Sequence, residues 1–149
     1  RQPYIVIEQD TIKLLRECDA GIKMGVASID EVIDYVNNRE LRDSLIRCKN
    51  RHEELKTEIE VLLSEYHDQG KDPNPMARSM SWVKTNMKLA MNESDQTIAD
   101  LMTDGCNIGV KTLNMYLNQY KAADEKSKST ARKIIAAEEK LTSDIQKFL

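Results

Sequence analysis

An all-α fold, a single four-helix bundle over residues 1–149, is predicted by three features of the sequence. Apolar residues recur at alternating three- and four-residue steps in four separate segments, the signature of helices that each bury one narrow stripe. Chain breakers are scarce, with five Gly and three Pro in 149 residues, and long unbroken stretches favour long helices. The links between segments are unequal, which groups the helices into two antiparallel hairpins joined by a long crossover.

The first helix is expected over about 9–36, with Leu15, Cys18, Ile22, Gly25, Ile29, Val32 and Val36 as its seam. Ser28 followed by Glu31 has the form of a capping box and allows a break near residue 27. The seam passes through that point uninterrupted, so one continuous helix is preferred. The second helix, about 39–68, carries the strongest pattern: Leu41, Leu45, Cys48, His52, Leu55, Ile59, Leu62 and Tyr66. Asn37 and Asn38 can cap its start, and Gly70 is the expected stop, ahead of Pro73 and Pro75. The third helix, about 95–121, follows Ala99, Met102, Cys106, Gly109, Leu113, Tyr116 and Tyr120. The fourth, about 127–148, follows Ala131, Ile134, Glu138, Leu141, Ile145 and Phe148.

The first hairpin thus covers 9–68 and the second 95–149, with 69–94 as the crossover. Within the crossover, residues 76–91 have a helical apolar side of Met80, Val83 and Met87, and Trp82 is expected to anchor it. A link of this length can cross from one end of a bundle to the other, which lets helices 2 and 3 run parallel.

The two hairpins also match each other. A shift of 84 residues lays Gly21 on Gly105, Gly25 on Gly109 and Val26 on Val110; a shift of 86 lays His52 on Glu138, Leu55 on Leu141 and Ile59 on Ile145. A helical glycine costs about 1 kcal/mol relative to alanine, so Gly21, Gly25, Gly105 and Gly109 need a structural reason. The expected reason is close approach of helices 1 and 3 around Gly25 and Gly109.

Composition narrows the function classes. Charged residues make up 32% and apolar ones 40%, with a net charge of −3 and both signs interleaved. A nucleic-acid surface would need clustered cations, so none is expected; Lys126, Lys128, Arg132 and Lys133 read as a wet helix face. No apolar run approaches the ~20 residues of a membrane span, so no membrane insertion is expected, and no signal-peptide pattern opens the chain. Cys18, Cys48 and Cys106 are odd in number and widely spaced, which reads as reduced thiols in a cytoplasmic protein rather than a disulfide framework.

Four short runs carry a likeness to known proteins: Asp19-Ala20-Gly21, Glu40-Leu41-Arg42, Gly70 with Pro75, and Asp104-Gly105-Cys106-Asn107. Through them, over about residues 10–149, the chain resembles a group of bacterial ferritin-like four-helix-bundle domains of unknown function. The resemblance implies a ferritin-like fold.

Catalytic ferritin-like bundles hold two metal ions with carboxylates from all four helices and two Glu-x-x-His pairs. No Glu-x-x-His occurs here: Lys49 stands three residues before His52, and Ile135 three before Glu138. The seams of helices 1 and 3 carry no carboxylate, so a di-iron centre is not expected, and no catalytic residue is assigned. One smaller site is compatible with the spacing. Axial counting brings Cys48, His52, Cys106 and Glu138 within about a turn of one another, a donor set suited to a single zinc-like transition-metal ion. Cysteine also packs as a small apolar residue, and three metal-free core thiols are the simpler reading. Glu138 on an apolar seam needs a partner, and its counterpart His52 is the expected one. The resulting expectation is a non-enzymatic module that binds a protein partner or itself. A bundle that binds a metal or small ligand through the inward Cys, His and Glu residues is the alternative.

Overall fold

The computed structural model describes residues 3–75, Asn86 and 94–149, and among them it is all-helical. Four helices form the body: α1 Pro3–Val32, α2 Arg39–Ser64, α3 Asp95–Gln119 and α4 Glu125–Ile145. Short 3-10 turns extend α1 through Ile33–Tyr35 and α4 through Gln146–Phe148. Of the stretch 76–91, expected to be helical, only Asn86 is among the described residues, and Trp82 lies outside them.

Three helices begin on a side-chain cap. Asn38 accepts from the Leu41 amide at 3.1 Å, Ser94 from Thr97 at 3.2 Å, and Asp124 from Ser127 at 2.8 Å. Each acceptor satisfies an amide that the first turn leaves unpaired. Asp124 starts α4 two residues before the sequence reading placed it. α1 is continuous through residue 27: the Ser28 hydroxyl bonds back to the Met24 carbonyl at 2.8 Å and caps nothing.

α2 stops earlier than expected, and the reason is local. His67 takes a left-handed backbone with φ 57°. The Asp68 amide bonds the Leu63 carbonyl and the His67 amide bonds the Ser64 carbonyl, both at 3.1 Å. This is a Schellman closure with histidine where glycine is usual. A Cβ in that conformation is strained, and His67 is exposed, so nothing else holds the histidine in place. His67→Gly is expected to raise unfolding stability by about 1 kcal/mol, read from the midpoint of urea denaturation.

The hairpins are fastened to each other at both ends. At one end the Asp95 carboxylate accepts from the Asn37 and Asn38 amides, both at 2.9 Å. At the other, Asp10 accepts from the Ala122 amide at 3.0 Å and Thr11 from the Asp124 amide at 2.9 Å. The starts of α2 and α3 therefore share one end, and the starts of α1 and α4 the other. α2 runs parallel to α3 across the diagonal, and each helix is antiparallel to its neighbours in the ring α1–α2–α4–α3.

The crossover leaves α2 along the flank of α1. Asp68 is held by Arg16 and accepts from the Gly70 amide at 2.9 Å. Asp19, 2% exposed on α1, accepts from the Lys71 amide at 3.0 Å and pairs with Lys23 at 2.8 Å. Gly70 lies directly over the Asp19 carboxyl with φ 85°.

The apolar core is divided in two. One cluster joins Leu15, Cys18, Ile22, Leu55, Ile59, Leu113, Ala131 and Ile134. The other joins Ile29, Val32, Leu41, Leu45, Cys48, Met102, Cys106, Leu141 and Ile145. Both draw on all four helices.

Candidate functional site

The gap between the clusters is a layer made of one seam residue from each helix: Gly25 on α1, His52 on α2, Gly109 on α3 and Glu138 on α4. Each falls between the last seam residue of one cluster and the first of the other. His52 is 1% exposed and Glu138 8%.

The glycines seat the two polar side chains. A Cβ built on Gly25 would lie 3.1 Å from both Cδ2 and Nε2 of His52, and nothing else would lie within 4 Å. A Cβ on Gly109 would lie 2.8 Å from Glu138 Oε1 and 2.9 Å from its Cδ. A side chain at Gly109 would force the Glu138 carboxylate to shift, and one at Gly25 would press the imidazole aside by a few tenths of an ångström. The space beside each glycine is filled by its own hairpin partner, a role for the pair that the helix spacing alone does not give. Gly21 and Gly105 have no atom within 4 Å of an added Cβ, so neither marks a close approach inside the bundle.

His52 and Glu138 meet, as the seams predict, with Nε2 3.7 Å from Oε1. His52 Nδ1 lies 2.9 Å from the Cys48 carbonyl, one turn back on its own helix. A carbonyl only accepts, so Nδ1 carries the hydrogen. Nε2 then faces a group that, when ionised, also only accepts. Their contact is attractive when a proton sits on Nε2 or on the carboxyl, so the pair holds one proton more than the two groups would as neutral ring and carboxylate. Burial disfavours a charged imidazole, yet the contacts with Cys48 and Glu138 outweigh it and raise His52 from the usual 6.5 to about 10.

The sign of the resulting pH dependence follows. A basic group raised on folding stabilises fully below its unfolded pKa, near 6.5, and that contribution is lost as pH rises toward about 10. Stability is expected to fall between those limits. By NMR the His52 ring should stay protonated at pH 7.5, and Glu138→Leu should lower its titration, since only the contacts with Cys48 then oppose burial. An unchanged titration in that variant would contradict the pairing.

The two thiols expected beside this pair sit mostly one turn away from it. Cys48 and Cys106 belong to the second apolar cluster. Cys48 Sγ is 3.6 Å from His52 Nδ1, not from the nitrogen facing Glu138, and donates to the Ala137 carbonyl at 3.9 Å. Burial, with Glu138 and Cys48 nearby, pushes the Cys106 thiol upward. Cys18 is raised to about 12 by burial and the adjacent Glu17 and Asp19. All three cysteines are free and buried. Among the described residues, no group of three or more His, Cys, Asp or Glu side chains is placed to hold a metal ion. Glu138 Oε2 has no hydrogen-bond partner among them.

No family model matches this chain, and neither a curated protein nor a solved structure is similar to it. The layer must be interpreted from its own geometry.

Access to it is narrow. An open groove of about 370 Å3 between α2 and α4 is lined by Arg47, Arg51, Lys133 and Lys140 and reaches Cys48, with His52 absent from its walls. Most of its cations are matched: Arg51 by Glu54 at 3.0 Å, Lys133 by Glu58 at 3.1 Å and Lys140 by Asp144 at 3.0 Å. The layer specifies which residues stack at mid-height, and the groove meets it through Cys48 rather than through His52. Among the described residues no helix is long and apolar enough to cross a membrane.

The sequence reading missed the fastening carboxylates Asp10 and Asp95, and the load on Asp19. A weak signal existed for Asp95, which directly follows a serine at a helix start.

Proposed function

We propose that this chain is a non-enzymatic, cytoplasmic helical module that works through its outer surface, by binding a protein partner or a second copy of itself. One contrast carries the reading. The side chains able to do chemistry, His52 and Glu138, are sealed at mid-bundle and engaged with each other. Ile108 and Met115 stand in solvent on α3, 64% and 57% exposed. Exposed large apolar side chains on one face are a feature of binding surfaces.

The ferritin-like likeness belongs to the same proposal. It is supported by the parallel course of α2 and α3 and by the single long crossover. An iron-handling role gains no support, because the layer offers one carboxylate and one imidazole where such centres use several oxygen donors. A second reading, a single metal ion held in the interior, is favoured by one observation, the unpartnered Glu138 Oε2.

Elemental analysis of untagged protein, paired with the variant His52→Leu/Glu138→Leu, separates the two. The surface reading expects no stoichiometric metal, and an association unchanged by emptying the polar layer. One ion per chain that disappears in the variant overturns it. So does association lost from a variant that still folds.

A further inference from the structure

The outer face of α3 differs from the rest of the bundle. α3 carries four charged residues in 25, Asp95, Asp100, Asp104 and Lys111, whereas α2 carries twelve in 26. Depletion of charge with retention of Met and aliphatic side chains is the compositional mark of an interface core. Leu101, Ile108 and Met115 are spaced by seven residues and so form one ridge along the helix. Ile108 and Met115 are exposed, and Leu101 is half-buried. Asp104 and Lys111 flank the ridge on one side; Gly105 and Thr112 flank it on the other.

We infer that this face binds a second copy of the same chain, α3 against α3, antiparallel, about a two-fold axis at Ile108. The inference rests on the surface-acting reading above and names its partner. Self-complementarity selects the occupant. A two-fold at Ile108 sets Ile108 on its own image and Leu101 on Met115 of the other copy. Asp104 lies four residues before the axis and Lys111 three after it. At 1.5 Å per residue, Asp104 of one copy and Lys111 of the other fall within about 1.5 Å of the same height, on the same flank. Two identical ion pairs result. Within one chain the two residues are seven apart, about 10 Å along the helix, too far to pair. Among the described residues neither has an ion-pair partner, although most charges on α2 and α4 do.

The other flank places Gly105 opposite Thr112 of the second copy, small against small, so the backbones can approach. Gly105 is exposed, and its open side accounts for a glycine that nothing inside the bundle requires. The face spans about four turns of one helix, below the ~800 Å2 per partner of standard interfaces, so a weak, reversible dimer is expected.

Sedimentation equilibrium of the full chain, run over micromolar to millimolar concentrations, tests this. Native protein should dimerise, and Ile108→Lys should weaken the dimer at least about 30-fold, because it sets like charges on the axis at a central contact. Its circular dichroism and melting should be unchanged, as Ile108 is solvent-exposed. Asp104→Lys or Lys111→Asp alone should weaken the dimer about tenfold, and the double exchange D104K/K111D should restore it to within about threefold. A chain monomeric throughout overturns the inference. So does a dimer indifferent to Ile108→Lys, or a double exchange as weak as the single ones. None of these three results touches the metal analysis, and a chain that stays monomeric leaves binding of a protein partner as the association read in the emptied-layer variant, so the broader reading stands or falls separately.

Discussion

Replacing His52 by leucine is expected to lower unfolding stability by about 3–5 kcal/mol, the range for removing one partner of a buried ionic pair. The loss comes from what stays behind. Glu138 would remain 8% exposed, facing a methyl group where it had faced a ring nitrogen, and its Oε2 already lacks a partner. Replacing both residues, His52→Leu with Glu138→Leu, should recover nearly all of this loss, because an apolar layer joins the two core clusters without burying a charge. Urea denaturation of the native chain, both single variants and the double variant gives the coupling directly. A double variant as unstable as the worse single one would show that the layer holds the fold by shape, with the charges incidental. Loss of the pair should also flatten the fall in stability above neutral pH.

The second large effect is expected at Gly70. Alanine there should cost about 2–5 kcal/mol, the sum of a left-handed backbone for a residue with Cβ, about 1–2, and displacement of a buried carboxylate from its partners, about 1–3. The new Cβ would lie 3.1 Å from Asp19 Cγ and closer still to Oδ2, at φ 85°. Asp19 has little room to yield, since it is tied to Lys23 and the Lys71 amide. Asp19→Ala should relieve the clash but not the backbone strain, so Gly70→Ala in that background should cost only about 1–2 kcal/mol.

Much of this structure was legible because seam spacing and link length are local properties. Helix α3 falls close to its predicted span and α2 begins where predicted, and the pairing of His52 with Glu138 follows from two seams that share a register. The misses have physical causes. α2 was expected to run to residue 68 because Gly70 is the usual stop signal, yet the left-handed residue is His67, whose side chain gives no such signal. Axial counting resolves height only to about a turn, and Cys48 lies one turn from His52 on the same helix with Sγ 3.6 Å from Nδ1. In the fold Cys48 and Cys106 pack with the apolar cluster on one side of the layer. Gly25 and Gly109 seat the side chains of His52 and Glu138, whereas Gly21 and Gly105 have open space beside them. Sequence shows that a helix needs room at Gly109; it does not show that the atoms filling that room come from Glu138 on the same hairpin. The fastening of the two hairpin ends, by Asp10, Thr11 and Asp95, joins residues more than 50 apart, and no local pattern reports it.

The division of the acid and the base between α4 and α2 has a consequence for how the molecule is made. Neither hairpin is self-sufficient. As the chain emerges from a ribosome, α1 and α2 can close on each other, but the imidazole has no counter-charge until some 85 further residues have been synthesised. The first half must wait half-formed and wet at its middle, and the last helix to appear completes it.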